Sequence, residues 1–400
     1  MQSGSGIVTS VNAISIEQAG SQAAPENGRT PYAYVPEIDG LRAIAMSVVV
    51  LQHCALAPFG WLGVWLFYVI SGFAITTSLL GARRTENGPF VTIRNFLVRR
   101  AIRIWPIYFL FIAFVSAIAF SWGRTDFTEA VWLAGFIYNF KIIAEGVSWI
   151  WVGHLWTISV EEHFYLVYPF IFALLWGRTR VLALWALVIL APLIRLAMSP
   201  IVGQWDFTPE QKAVAVYMFS PAHFDAFALG ALIALGRPHI EGRIRWALAA
   251  LAGAAVLALG YTAYGIWLNV QEGAQGLNLL RNIYSGILWG GGRQVFVYLA
   301  VTWSAAAVLF ATVAGLPVLK RLLSPSWLQA IGRISFGAYV FHMIVIGHVS
   351  AYLLPWATEQ WDPLRQLGLF AIAYPATLAL AALSFRFIEQ PFLKLRKRFA

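Results

Sequence analysis

The stretch "GLRAIAMSVVVLQHCALAPFG", residues 40–60, is apolar except for Arg42 near its start and His53 near its end. On a helix, eleven residues make about three turns and return to within roughly 20° of the same face, about 16 Å further along. Arg42 and His53 therefore line one stripe, a permanent cation at one end and a titratable imidazole at depth. Ionisable groups inside an apolar span are costly and usually functional. The pair suits an anionic ligand entering at Arg42 with chemistry at His53. It also suits an arginine that snorkels to lipid head groups and a histidine bonded to a helix carbonyl.

Three more stretches carry chemistry. In "RNFLVRRAIRIWPIYF", residues 94–109, Arg100 and Arg103 lie three apart on one helical face with Arg99 beside them. Arginine's planar fork binds phosphate oxygens bidentately and keeps its charge, although anchoring at the cytoplasmic interface would also use arginines here. In "GHLWTISVEEHFYLVYPF", residues 153–170, His154 and Glu161 share nearly one face two turns apart, with Glu162 and His163 following. Two carboxylates and two imidazoles at the start of a span are hard to explain as packing, and Glu161 is preferred to Glu162 because it shares the His154 face. "ISFGAYVFHMIVIGH" places His342 inside a later run, where chemistry and packing are equally open. In "SFRFIEQPF", Arg386 and Glu389 are one turn apart and read as a structural ion pair.

These residues must be held by membrane helices. Sixty per cent of the 400 residues are hydrophobic and 12% are charged, against roughly 25% charged in a soluble chain. Mean hydropathy is +0.69. Runs long enough to span lie near residues 41–58, 62–82, 104–122, 153–176, 181–198, 215–235, 246–268, 294–315, 332–354 and 366–388. The expected fold is therefore all-α, a polytopic bundle of about ten transmembrane helices in one domain, residues 37–393. Residues 1–36 are expected to be a disordered cytoplasmic tail and 394–400 a basic cytoplasmic one. Segment 130–143, "AVWLAGFIYNFKII", is short and contains Lys141, so it reads as an outer loop or re-entrant piece. Ten spans from a cytoplasmic N-terminus place Arg83, Arg84, Arg94, Arg178, Arg180, the "RPHIEGRIR" loop at 237–245, Lys320, Arg321 and the C-terminal "KLRKR" inside. That agrees with the positive-inside rule, whereas an eleventh span at 130–143 would reverse every later loop. The same rule accounts for the net charge of +10 without nucleic acid. Cys54 is the only cysteine, and no His/Cys spacing suited to zinc or strand-borne phosphate loop is present, so no metal is expected.

The pieces together resemble the acyltransferase 3 family of integral-membrane acyltransferases. The matching stretches are "DGLRAIAMSVVVLQH", "FYVISGF", "RRAIRIWP", "HLWTISVEEHFYLVYP", "ISFGAYVFH" and "FIEQP", in the family's order from residue 37 to about 392. The resemblance implies a ten-helix bundle in a bacterial cytoplasmic membrane. It would transfer an acyl group, usually acetyl from acetyl-CoA, to an acceptor hydroxyl. Acceptors in the family are mostly sugars of surface or secreted glycans, and in some members small metabolites such as macrolides. By motif match His53 would be the essential histidine, Arg42 its companion, Arg100 and Arg103 the CoA-linked pair, and Glu161 the acid of the serine–valine–glutamate motif. His163 stands where the family more often has glutamine. Some members carry a periplasmic esterase-like domain after the last helix. This chain shows none, so transfer would finish in the membrane part or on a separate protein.

Residues and resemblance lead to one expected mechanism. Arg42, Arg99, Arg100 and Arg103 hold the CoA phosphates at the cytoplasmic mouth, and acyl-CoA is a substrate rather than a bound cofactor. His53 takes the proton of the acceptor hydroxyl as it attacks the thioester, with Glu161 orienting His53 or the acceptor. An acyl-histidine relay is the alternative at this step. His154, Glu162, Trp156 and His342 are the residues expected to bind the acceptor or assist. Trp149, Trp151 and Trp156 can stack on sugar faces or form an interfacial belt. The rival from another class is a proton-coupled transporter with His53 and Glu161 as its relay.

Overall fold

Within lipid a backbone must satisfy its own hydrogen bonds, which apolar runs of this length do by coiling into helices. The computed structural model describes residues 34–82, 88–147, 149–353 and 362–395, and helices make up all regular structure among them. The described residues from 35 onward group as one compact unit. Most of the N-terminal tail, Arg83, Arg84 and the last basic residues lie outside the described residues.

Each of the ten apolar runs falls on a helix: α1 Glu37–His53, α2 Leu62–Ala82, α3 Pro89–Ser121, α4 Trp156–Leu174, α5 Gly177–Gly203, α6 Phe224–Ile240, α7 Ile244–Gln271, α8 Arg293–Val313, α9 Ser335–His348 and α10 Pro363–Ser384. Among the described residues, six helices are long and apolar enough to cross a membrane. Two sharply bent pairs, Pro209–Met218 with Ser220–Ile240 and Ser326–Arg333 with Ser335–Tyr352, raise that to eight. Both pairs turn by 73°. The two expected spans outside this set are α1, 17 residues long, and α4, 19 residues long. α1 falls short by its length, whereas α4 is long enough and is made less apolar by Glu161, Glu162 and His163.

Segment 130–143 folds as two short helices, Thr128–Ala134 and Tyr138–Glu145, each far below spanning length. Its Lys141 is buried because it pairs with Glu129 and donates to the Gly146 carbonyl at 2.9 Å. A 3₁₀ segment, Ile150–Leu155, then leads into α4 and carries His154.

Backbone contacts fix α1 in place. A Cβ on Gly332 would lie 1.8 Å from the Asp39 carbonyl oxygen, and one on Gly63 would lie 2.3 Å from that of Ala45. The helix is thus pressed between α2 and the Ser326–Arg333 helix by residues without side chains, as small residues do where membrane helices touch. The α2–α6 crossing is reciprocal: a Cβ on Gly72 would meet Phe227 O at 1.9 Å, and one on Gly230 would meet Val69 O at 1.9 Å. α5 is locked to α6 by a fully buried ion pair, Arg195 Nη2 to Asp225 Oδ2 at 2.7 Å, with Arg195 Nη1 donating to Ala222 O at 2.6 Å. This pair satisfies two charges that lipid would not, and reads as structural.

Candidate active site

The stripe on α1 joins two polar clusters. At the Arg42 end the side chains converge from four helices. Arg42 pairs with Asp39 at 3.8 Å and lies within electrostatic reach of Arg103, Glu161 and Tyr165. Glu161 of α4 accepts from Tyr165 Oη at 2.9 Å and from Ser71 Oγ of α2 at 3.3 Å, and interacts with Arg100 and Arg42. The Arg100 guanidinium sits 5.4 Å from the Tyr165 ring centre and 5.6 Å from that of Phe96, both cation–π distances. Arg42, Arg100, Arg103 and Glu161 are each only partly buried, so this cluster can be reached from outside.

Glu389 completes it. Arg386 is exposed over its neighbour Phe387, and no ion pair joins it to Glu389 among the described residues. Instead Glu389 is buried and interacts with Arg103 and Arg42. The expected one-turn pair fails because Phe385–Glu389 is a π-helical turn. A wider turn rotates residues three apart off a common face, and such turns often occur at functional sites.

The other expected residues at this end divide by face. Arg99 is buried, about 100° round α3 from Arg100. Glu162 is also buried, with Arg100 and the Trp105 side chain of α3 as partners. The two adjacent carboxylates thus share Arg100, while Glu161 adds partners on α1 and α2 and Glu162 adds Trp105 on α3.

At the far end of the stripe are three imidazoles. The His53 and His342 ring centres are 5.0 Å apart, and those of His342 and His154 are 4.6 Å apart. His53 is half-buried, His342 fully buried and His154 nearly so. His342 Nδ1 lies 2.6 Å from Tyr339 O, and His154 Nε2 lies 3.2 Å from Val340 O. Tyr339 Oη contacts Thr157 Oγ1 at 2.6 Å and donates to His154 O at 3.0 Å. Thus α9 supplies both His342 and the carbonyls that hold the two deeper rings.

The structure brings His53, His154 and His342 together, and separately Arg42, Arg100, Arg103 and Glu161. Glu161 hydrogen-bonds Ser71 and Tyr165, while the ring beside His53 is His342. His163 turns away from both clusters: its Nδ1 is 2.7 Å from Ser220 Oγ and its ring stacks on Phe140. His348 packs on Trp151. Trp156 is 5% exposed with its ring 4.9 Å from Tyr217, so packing occupies the face a sugar would need. Ser71, Tyr165, Tyr339, Thr157 and Glu389 are the members that spacing along the chain did not supply. All five lie in stretches already singled out, Glu389 there as the expected partner of Arg386. Ser71, Thr157, Tyr339 and Glu389 have partners on other elements, whereas Tyr165 bonds Glu161 of its own helix.

Comparison with known proteins gives one family. A model described as an acyltransferase domain matches residues 35–386. Peptidoglycan O-acetyltransferase OatA of Listeria monocytogenes is 27% identical over 384 residues, covering 90% of this chain and 56% of the relative. Putative peptidoglycan O-acetyltransferase YrhL of Bacillus subtilis is 25% identical over 390 residues, with 90% and 55% covered. A putative O-acetyltransferase of Staphylococcus aureus strain COL is 23% identical over 387 residues, with 90% and 58% covered. The chain spans between half and three-fifths of the length of these relatives. No solved structure matches.

Proposed function

Since the chain belongs to the acyltransferase-domain family, we propose that it is a membrane O-acyltransferase moving an acetyl group from acetyl-CoA to a hydroxyl of a carbohydrate acceptor. The acceptor class is a cell-surface or lipid-linked glycan, in keeping with relatives named for peptidoglycan O-acetylation. In this reading the chain crosses the bacterial cytoplasmic membrane ten times with both termini in the cytoplasm.

The observation that carries the proposal is the α1 stripe, which ends in an arginine cluster on one side and an imidazole cluster on the other. A guanidinium has five N–H donors, and a carboxylate partner leaves several of them for phosphate oxygens. Arg42, Arg100 and Arg103, held by Glu161 and Glu389, would take the CoA phosphates. The pantetheine arm would then run along α1, whose eleven-residue step spans about 16 Å, and bring the thioester to His53. His53 accepts the hydroxyl proton as the oxygen attacks the thioester carbonyl. The C–S bond breaks, the proton passes to the departing sulfur, and CoA thiol and neutral His53 are restored. Glu161 then acts on the donor side, organising arginines, rather than on the imidazole.

The test is acetyl-CoA turnover by the purified full chain in detergent, comparing wild type, His53→Ala and Arg103→Ala. His53→Ala is expected to lower kcat about a hundredfold or more, as loss of a general base does. Arg103→Ala is expected to raise KM for acetyl-CoA about tenfold, with the rate recovered at high donor concentration. Full turnover by His53→Ala would end the assignment of the base.

A further inference from the structure

We propose that His342 is the positioning partner of His53: its Nε2 accepts the remaining N–H of the His53 ring, fixes which His53 nitrogen faces the substrate, and shares the charge His53 takes up. This deepens the acyl-transfer reading and rests on His53 as its base.

The argument begins with a tautomer. A backbone carbonyl only accepts, so the 2.6 Å contact between His342 Nδ1 and Tyr339 O puts the proton on Nδ1. In the neutral ring Nε2 is then a bare acceptor. That atom is buried and has no hydrogen-bond partner among the described residues. A buried acceptor left bare is costly, and native proteins keep few without a use.

The surrounding groups decide which donor it awaits. The titratable groups facing His342 are His53 from α1, His154 from the 3₁₀ segment and Tyr339 from its own helix. His154 has its Nε2 on the Val340 carbonyl, so that nitrogen carries its one proton and its Nδ1 is itself a bare buried acceptor. It has no proton to offer. The Tyr339 hydroxyl is engaged with Thr157 and with His154 O. His53 remains: it is half-buried and has no hydrogen-bond partner among the described residues. Two imidazoles sharing an N–H···N bond have ring centres about 5 Å apart, since N···N is about 3 Å and each nitrogen is about 1 Å from its ring centre. The His53–His342 separation is 5.0 Å with the planes at 47°, so a turn of the His53 ring makes the bond.

The arrangement has the logic of a base oriented by a third group, with an imidazole and the Tyr339 carbonyl behind it where a hydrolase triad has a carboxylate. It orients the base without a fixed anion at membrane depth, where one is expensive. The proton balance is closed: the hydroxyl proton enters the His53–His342 pair and leaves on the CoA sulfur.

The test reads His53 directly, apart from turnover. Diethyl pyrocarbonate carbethoxylates the neutral imidazole, and the His53 peptide is followed by mass spectrometry across pH in the full-length wild type, His342→Gln and His342→Leu. Glutamine puts an acceptor oxygen near the Nε2 position, whereas leucine fills the space with none. His53 labelling is expected within about threefold of wild type in His342→Gln and about tenfold slower in His342→Leu. Turnover should follow the same order, with kcat falling in His342→Leu and KM for acetyl-CoA unchanged within about twofold. If the leucine variant does not fold, His342→Asn, whose amide reaches only the Nδ1 position, should show the same slowing. Equal His53 labelling rates and pH profiles with and without an acceptor at residue 342 would overturn the proposal. Turnover insensitive to His53→Ala would instead remove the base while leaving the labelling result to report on the pair.

Discussion

Glu389 shows what a single carboxylate would do at the proposed donor site. Its partners are Arg103 and Arg42, not Arg386, and it is buried while Arg386 is exposed. A long arginine loses about 2 kcal/mol of rotamer freedom when fixed, so a carboxylate that has already fixed it lowers the cost of phosphate binding. Glu389→Gln keeps the shape without the charge. KM for acetyl-CoA should rise roughly three- to tenfold in this variant with kcat within about twofold, while Arg386→Ala should leave both within twofold. Steady-state kinetics on both variants would decide it, and a Glu389→Gln enzyme identical to wild type would remove this carboxylate from the donor site. The same residues mark how far the sequence could be read. Arg42 and His53 lie on one helix, and their common stripe follows from 100° per residue alone. The pairing of Glu389 with Arg103, and of His342 with His53, joins helices far apart in the chain, which no spacing rule reaches. The Arg386–Glu389 expectation failed for a local reason, a π turn that the apolar pattern around it does not announce.

At the scale of helices the apolar runs located every long element, with shifts at the ends. The first run was expected to continue to residue 58, yet α1 stops at His53, and Ala55 follows at φ 59°. A non-glycine residue in that region is a turn that ends the helix and leaves His53 at its tip. What the runs did not reveal is how closely the helices approach. The α2–α6 crossing depends on Gly72 and Gly230 having no Cβ, and it holds Ser71 against Glu161. Gly230→Ala must push Val69 O away from a contact of 1.9 Å, so α2 has to move. Gly253→Ala on α7 meets nothing within 4 Å and should gain up to about 1 kcal/mol of helix propensity. Thermal unfolding in detergent should show Gly230→Ala melting several degrees below wild type and Gly253→Ala at or above it. Equal melting temperatures would mean that the crossing is looser than its glycines imply.

For the whole molecule, charge and length give different accounts of the membrane. Length and apolarity select six helices, or eight with the bent pairs. Loop charge asks for ten crossings. The two accounts meet if α1 and α4 cross despite their ionisable residues, which is reasonable only where those residues face the bundle. Glu162 and His154 are buried, and Arg42, His53 and Glu161 are partly so, their neighbours being other helices. In-bundle partners are what make such residues tolerable in a membrane. Ten crossings place the exposed positions Arg124 and Gln275 outside and the exposed positions Glu241 and Lys320 inside. Cys54 is the only native cysteine, so a Cys54→Ala chain is a clean background for single cysteines. With a membrane-impermeant maleimide on intact cells, Arg124→Cys and Gln275→Cys should label. Glu241→Cys and Lys320→Cys should label only after permeabilisation. Eight crossings, with α1 and α4 both lying in the plane, would put residues 124 and 241 on the same side. Labelling of Glu241→Cys in intact cells would therefore discard the ten-span arrangement, and with it a donor site that opens to cytoplasmic acetyl-CoA.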